Sequence, residues 1–173
     1  MRRIFMLAFL CVALAYTAAV GQEQNYGAIP TAWFKHPAKG APVSAFNVGC
    51  RSVPEVRGRP GIQCLAVVEN EGEQGITALG FFWEFLDSEN KVLDKAYTAH
   101  DFAYPKKPRK LQKRDHFVLK DSVGVPDLSR VSQIHLHIAF VELEDGSVIP
   151  EGARDSPLFR EVVKSRMEAP AAQ

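Results

Sequence analysis

A chain of 173 residues, 46% hydrophobic and 24% charged, is long enough for one domain with a real core. Its formal charge of +1 sets up no field that would draw nucleic acid or a charged substrate from a distance. Beyond the first residues, no stretch is long and apolar enough to cross a bilayer.

The chain opens MRRIFMLAFLCVALAYTAAVGQ. Arg2 and Arg3 precede an apolar run from Ile4 to Ala15, followed by small residues, which is the layout of a secretory signal peptide. Cleavage is expected after Ala15, Ala19 or Gly21, and the last two leave the apolar run at full length. An uncleaved anchor is the alternative, but the run reaches only about 17 residues even with Tyr16 and Thr17 counted. Leu10 before Cys11 is too bulky for a lipidation signal. Loss of Arg2 and Arg3 would take the formal charge to −1, against +1 for the whole chain. The expected location is secreted or periplasmic. The expected division is a signal peptide over 1–21, an irregular segment over 22–42, a β-sandwich over 43–150 and a helix with a tail over 151–173.

Cysteine usage agrees with export. Of three cysteines, Cys11 lies in the leader, so Cys50 and Cys64 remain and read as one disulfide. On the chain-entropy account, the closed loop of about 15 residues is worth about 3 kcal/mol. A thiolate pair for metal or redox work is the rival reading, but the spacing is not that of a CxxC motif.

Pro30, Pro37 and Pro42 punctuate the segment up to residue 42, where Ile29, Trp33 and Phe34 could pin it to the body. VSAFNVGC (43–50) predicts a first strand, and RSVPEVRGRPG (51–61), with its prolines and glycines, predicts a loop. IQCLAVVEN (62–70) and ITALGFFWEFL (76–86) predict strands around the polar turn EGEQG. In the second of these, Thr77, Leu79, Phe81, Trp83 and Phe85 form the bulkier face, expected to be the core face. DSENK (87–91) predicts a turn with Asn90 in the left-handed conformation, returning into KVLDKAYTAHDF (91–102) as a hairpin. After a basic loop come a short strand over 115–122 and a long one over 131–146. A short edge strand follows at SVIP. Residues 155–167 predict a helix capped by Asp155 or Ser156, with Pro157 in its first turn. Six or seven strands with no alternating helices argue for an all-β, immunoglobulin-like antiparallel β-sandwich with a short C-terminal helix.

The stretch from Val67 to Leu93 resembles the core of FxLYD-type and water-stress-type β-sandwich domains. Asn70, Ile76, Phe85, Asp87, Asn90, Val92 and Leu93 stand at the places of that pattern, over about a third of the mature chain. After Phe102 a basic loop replaces the family's Pro-Gly turn. The resemblance implies an immunoglobulin-like sandwich in exported or membrane-tethered bacterial proteins, and no catalytic residues.

Two patterns could carry chemistry. In IHLHIAF (134–140), alternation places Ile134, Leu136, Ile138 and Phe140 on one face and His135, His137, Ala139 and Val141 on the other. Two strand histidines two apart can share a Zn or Cu ion, with His100, His116, Asp101 or Asp115 as candidate further ligands. The alternative is an ordinary solvated strand face. In KKPRKLQKR, residues Lys106, Lys107, Arg109, Lys110, Lys113 and Arg114 form a basic cluster. They could contact an anionic membrane or envelope component, or be a solvated loop balanced by acids such as Asp101 and Asp115. Nucleic acid is not expected, because the run holds no aromatic to stack on bases. Glu142, Glu144, Asp145, Asp87 and Glu89 fall in turn-like polar stretches where hydration accounts for them. No nucleophile elbow, phosphate loop or HExxH occurs. Trp83 reads as a core residue. The expected function is therefore a non-catalytic binding or structural accessory module for an unknown protein or envelope partner. The alternative is a metal protein built on the histidine pair.

Overall fold

The computed structural model describes the main chain of residues 32–35, and residues 40–103 and 109–168 in full. Among these the chain forms β1 (Ala32–Lys35), β2 (Val43–Val56), β3 (Arg59–Asn70), β4 (Ile76–Leu86), β5 (Val92–Asp101), β6 (His116–Gly124), β7 (Gln133–Leu143), β8 (Val148–Ile149) and one α-helix, α1 (Pro157–Glu168). One sheet runs β1-β7-β4-β5, with β8 also on β7, and the other runs β2-β3-β6. Every pairing is antiparallel except that of β1 with β7. This is an all-β sandwich with a short C-terminal helix.

The sandwich exists because alternation in both sheets supplies a continuous apolar layer. Ile62, Cys64, Ala66 and Val68 of β3 meet Leu79, Phe81, Trp83 and Phe85 of β4 and Ile134 and Leu136 of β7, all without solvent exposure. Each large side chain buried there contributes about 1.5–3 kcal/mol. The bulkier face of β4 is the core face, as its sequence indicates. Asn90 takes φ 62° in the β4–β5 turn, and Asp87 Oδ1 accepts from the main chain of Glu89 and Lys91 to close it. Ser156 caps α1 by accepting from the Phe159 N–H at 3.1 Å, ahead of Pro157 in the first turn.

Three segments depart from expectation. Residues 51–61 are no loop: β2 and β3 continue as a hairpin whose tip is Arg57 and Gly58, both left-handed at φ 52° and 77°. Successive left-handed residues suit the right-handed twist of a tight hairpin. Pro54 lies on an edge strand, and Pro60 stands opposite Val125, just beyond the end of β6, where its carbonyl accepts from the Val125 N–H at 2.9 Å. Within 22–42, residues Ala32–Lys35 are a strand aligned with Ile134 to His137, so that segment is not irregular throughout.

The third departure is in β7. Gly80 pairs with Phe140 but Phe81 pairs with Ile138, so Ala139 is an extra residue in the ladder. This bulge reverses the alternation beyond it. Phe140 leaves the core face and packs edge-on against Phe159 of α1, with ring centroids 5.2 Å apart, while Val141 turns into the core. Gly80 makes room, since a Cβ there would lie 2.3 Å from the Phe140 ring.

The outer face of the larger sheet is thus divided. Ala78, Phe140, Phe159 and Val162 form a second, smaller core under α1. Arg166 fastens the end of the helix, with Nε and one terminal nitrogen on Asp101 at 2.8 and 3.0 Å and both terminal nitrogens on Glu142 at 3.0 and 2.6 Å. The other half of this face carries the histidines.

Candidate metal centre

On that half, strand pairing lays side chains in two cross-strand rows. Lys95, Glu84 and His135 form one, and Tyr97, Phe82 and His137 the next. His135 and His137 do share the outer face, as alternation requires. They are not solvated, however: their side chains are only 14% and 16% exposed, and Glu84 is 15% exposed. Glu84 Oε2 lies 3.4 Å from His137 Nε2 and 3.8 Å from His135 Nδ1. One ligand atom from each of the three lies within 4.8 Å of the others. For bonds of about 2.0–2.1 Å, tetrahedral ligand atoms stand about 3.3 Å apart, so the widest-spaced pair of the trio would draw together by up to about 1.5 Å to close on one ion.

The surroundings orient all three groups. Lys95 Nζ holds the other carboxylate oxygen, Oε1, at 2.9 Å, which leaves Oε2 for the rings. His137 stacks flat on Phe82, 4.4 Å between centroids and 1° between planes. His137 Nε2 is sealed from solvent and has no hydrogen-bond partner among the described residues; Glu84 approaches it without the alignment of a hydrogen bond. Burial pushes the His137 pKa down, and the Glu84 carboxylate does not restore it. The ring is therefore neutral near pH 7, the form that ligates metal. Burial raises the Glu84 pKa, but the Lys95 hydrogen bond and charge outweigh that and hold the group ionised.

The third partner was missed in the sequence. His100, His116, Asp101 and Asp115 do not join the pair. His100 lies opposite Leu79 and against the Phe117 ring at 4.2 Å. His116 faces Glu69 at 3.3 Å. Asp101 holds Arg166, and Asp115 accepts from the Gln112 main chain at 3.0 Å. The usable signal was Glu84 itself, the one charge in the apolar strand ITALGFFWEFL.

Two members of the basic cluster are occupied. Lys110 Nζ pairs with Glu144 at 2.8 Å, and Lys113 pairs with Glu73. These partners differ from Asp101 and Asp115. Arg109 and Arg114 are exposed, and Lys106 and Lys107 lie outside the described residues. Leu111 anchors the loop by reciprocal 3.0 Å main-chain bonds with Ile76. Of the carboxylates assigned to hydration, Glu142 is instead buried, at 8% exposure, between Thr77 and Arg166. Cys50 and Cys64 form the disulfide and stand directly opposite each other in β2 and β3, 4.1 Å apart at Cα. Among the described residues no helix is long and apolar enough to cross a membrane.

No family model matches the chain, and no curated protein matches it. Two solved structures are similar at 10% identity and a TM-score of 0.39 each. One is the Northeast Structural Genomics Consortium target SoR45, covering 62% of this chain and 78% of that one. The other is a hypothetical protein from Peptoclostridium difficile 630, covering 73% of this chain and 92% of that one.

Proposed function

We propose that this protein is an exported, non-catalytic module that binds a divalent transition metal ion, Zn(II) or Cu(II), through Glu84, His135 and His137. The observation that carries the reading is the sealed His137 Nε2, which has no hydrogen-bond partner among the described residues and lies 3.4 Å from Glu84 Oε2. A buried polar atom left unpaired is costly, and an ion between the two groups relieves that cost. Two imidazoles and one carboxylate are a known zinc donor set, and imidazole-rich sites also suit copper. The stacked Phe82 and the Lys95 bond supply the outer contacts that fix ligand orientation in such sites. Export is supported by the leader-like N-terminus and the disulfide. The basic loop is the weaker candidate for function, since Lys110 and Lys113 already have acidic partners.

Titration of the protein with Zn(II) and Cu(II), following the ring resonances of His135 and His137, tests the reading. Sub-micromolar binding with both rings responding together supports it. Unchanged Zn(II) spectra at tens of micromolar metal, with no Cu(II)-induced broadening of either ring, would sink it.

A further inference from the structure

The sandwich is open along one side. There β5 ends one sheet and β6 ends the other, and a groove of about 600 Å³ runs between them, reaching Trp83. The hydrogen-bond phase of both edges is fixed. The Phe102 N–H donates to Thr77 O at 2.8 Å, so strict alternation from that pair turns the main-chain groups of Tyr97 outward, away from β4. Likewise the Val125 N–H donates to Pro60 O at 2.9 Å, so those of Ser122 and Gly124 turn away from β3. All three residues line the groove. Two strand edges that no strand among the described residues pairs therefore border one cleft, with the Lys95 N–H of β5 held by Asp94 Oδ1 at 2.8 Å, and unpaired edges are templates for an added strand. At its mouth stand Arg57 and Arg59, both exposed and neither paired with a carboxylate among the described residues.

We propose that this groove receives an extended peptide strand from another protein, bearing an acidic side chain for Arg57 and Arg59. The strand would bond main chain to main chain along β5 and direct a small side chain toward Trp83 and Val123, beside the Asp121 carboxyl that also lines the groove and holds the Trp83 indole. This inference is independent of the metal reading and uses none of its three ligands.

The test is selection of a random heptapeptide display library on the full chain, followed by affinity measurement on the synthetic peptides recovered. Expected are acidic, β-branched peptides that move the amide resonances of Tyr97, Ser122 and Gly124. An Arg57→Ser, Arg59→Ser double variant, altered only at the exposed turn and the exposed first residue of β3, should bind them about tenfold more weakly. N-methylation of alternate peptide residues should abolish binding, because it removes main-chain donors. Failure to enrich any peptide would overturn the proposal. So would peptides that bind the double variant equally well, or that shift amides elsewhere. Concentration-dependent dimerisation moving the same three amides would replace the peptide by a second copy of the chain.

Discussion

The Trp83 indole N–H donates to Asp121 Oδ2 at 2.7 Å, joining the central strand of one sheet to an edge strand of the other. Burial pushes the Asp121 carboxyl pKa up, and the Trp83 bond and the nearby His100 only partly counter it. A carboxyl raised in the folded state contributes stability that is complete below its ordinary value of 3.8 and is lost as pH rises through the folded value. Asn at this position keeps an acceptor for the indole and never ionises. In urea unfolding, the advantage of Asp121→Asn over the parent should therefore grow as pH rises from about 4 toward 7. An advantage that stays flat or shrinks would show that Asp121 ionises without penalty.

Arg166 is clamped between two carboxylates, one of them nearly buried. Arg166→Met removes the cation and leaves Asp101 and Glu142 facing each other. The expected loss is about 3 kcal/mol, since breaking a buried pair strands a charge. Hydrogen exchange should show the amides of α1 losing protection first. A urea midpoint that moves only slightly would mean that the apolar contacts of Phe159 and Val162 hold the helix alone.

Asn70 is fully buried, and its side chain serves three main-chain groups. It donates to Gln74 O and Leu111 O at 2.8 Å each and accepts from the Gly72 N–H at 2.9 Å. Asn70→Ala leaves two carbonyls and one amide without this partner. A loss of about 2–4 kcal/mol is expected, together with freer motion of residues 109–114. Thermal unfolding and heteronuclear relaxation would check both.

For the metal centre, Glu84→Gln should keep the fold and weaken Zn(II) by more than about 100-fold, since losing an outer contact already costs about 10–100-fold and this change removes a ligand. His135→Asn with His137→Asn should abolish binding. Unaltered affinity in Glu84→Gln would remove the carboxylate from the ligand set and leave the histidines alone.

The architecture was largely legible in the sequence because it rests on period-two alternation, which β3 and β4 display over most of their length. The disulfide, the Asn90 turn and the Ser156 cap were legible because each depends on local residue chemistry. The β2–β3 hairpin was not, since Pro54, Pro60 and Gly58 carry the marks of a loop and only pairing reveals how the ladder accommodates them. The site was half legible. Spacing puts His135 beside His137, but Glu84 arrives through a register between strands 51 residues apart in the chain, which one strand's pattern cannot encode. The stacking of Phe82 on His137 has the same origin.

The extra residue at Ala139 lets a single strand serve two neighbourhoods with different requirements. On one side of it alternation points the histidines outward, and on the other it sends Phe140 to the helix and Val141 to the core. The polar and apolar halves of the outer face are thereby uncoupled in phase, so either could change without disturbing the other. Deleting Ala139 would lock the two halves back into step. The strand would then have to sacrifice one of them, either turning the imidazoles inward or withdrawing the anchor on which α1 rests.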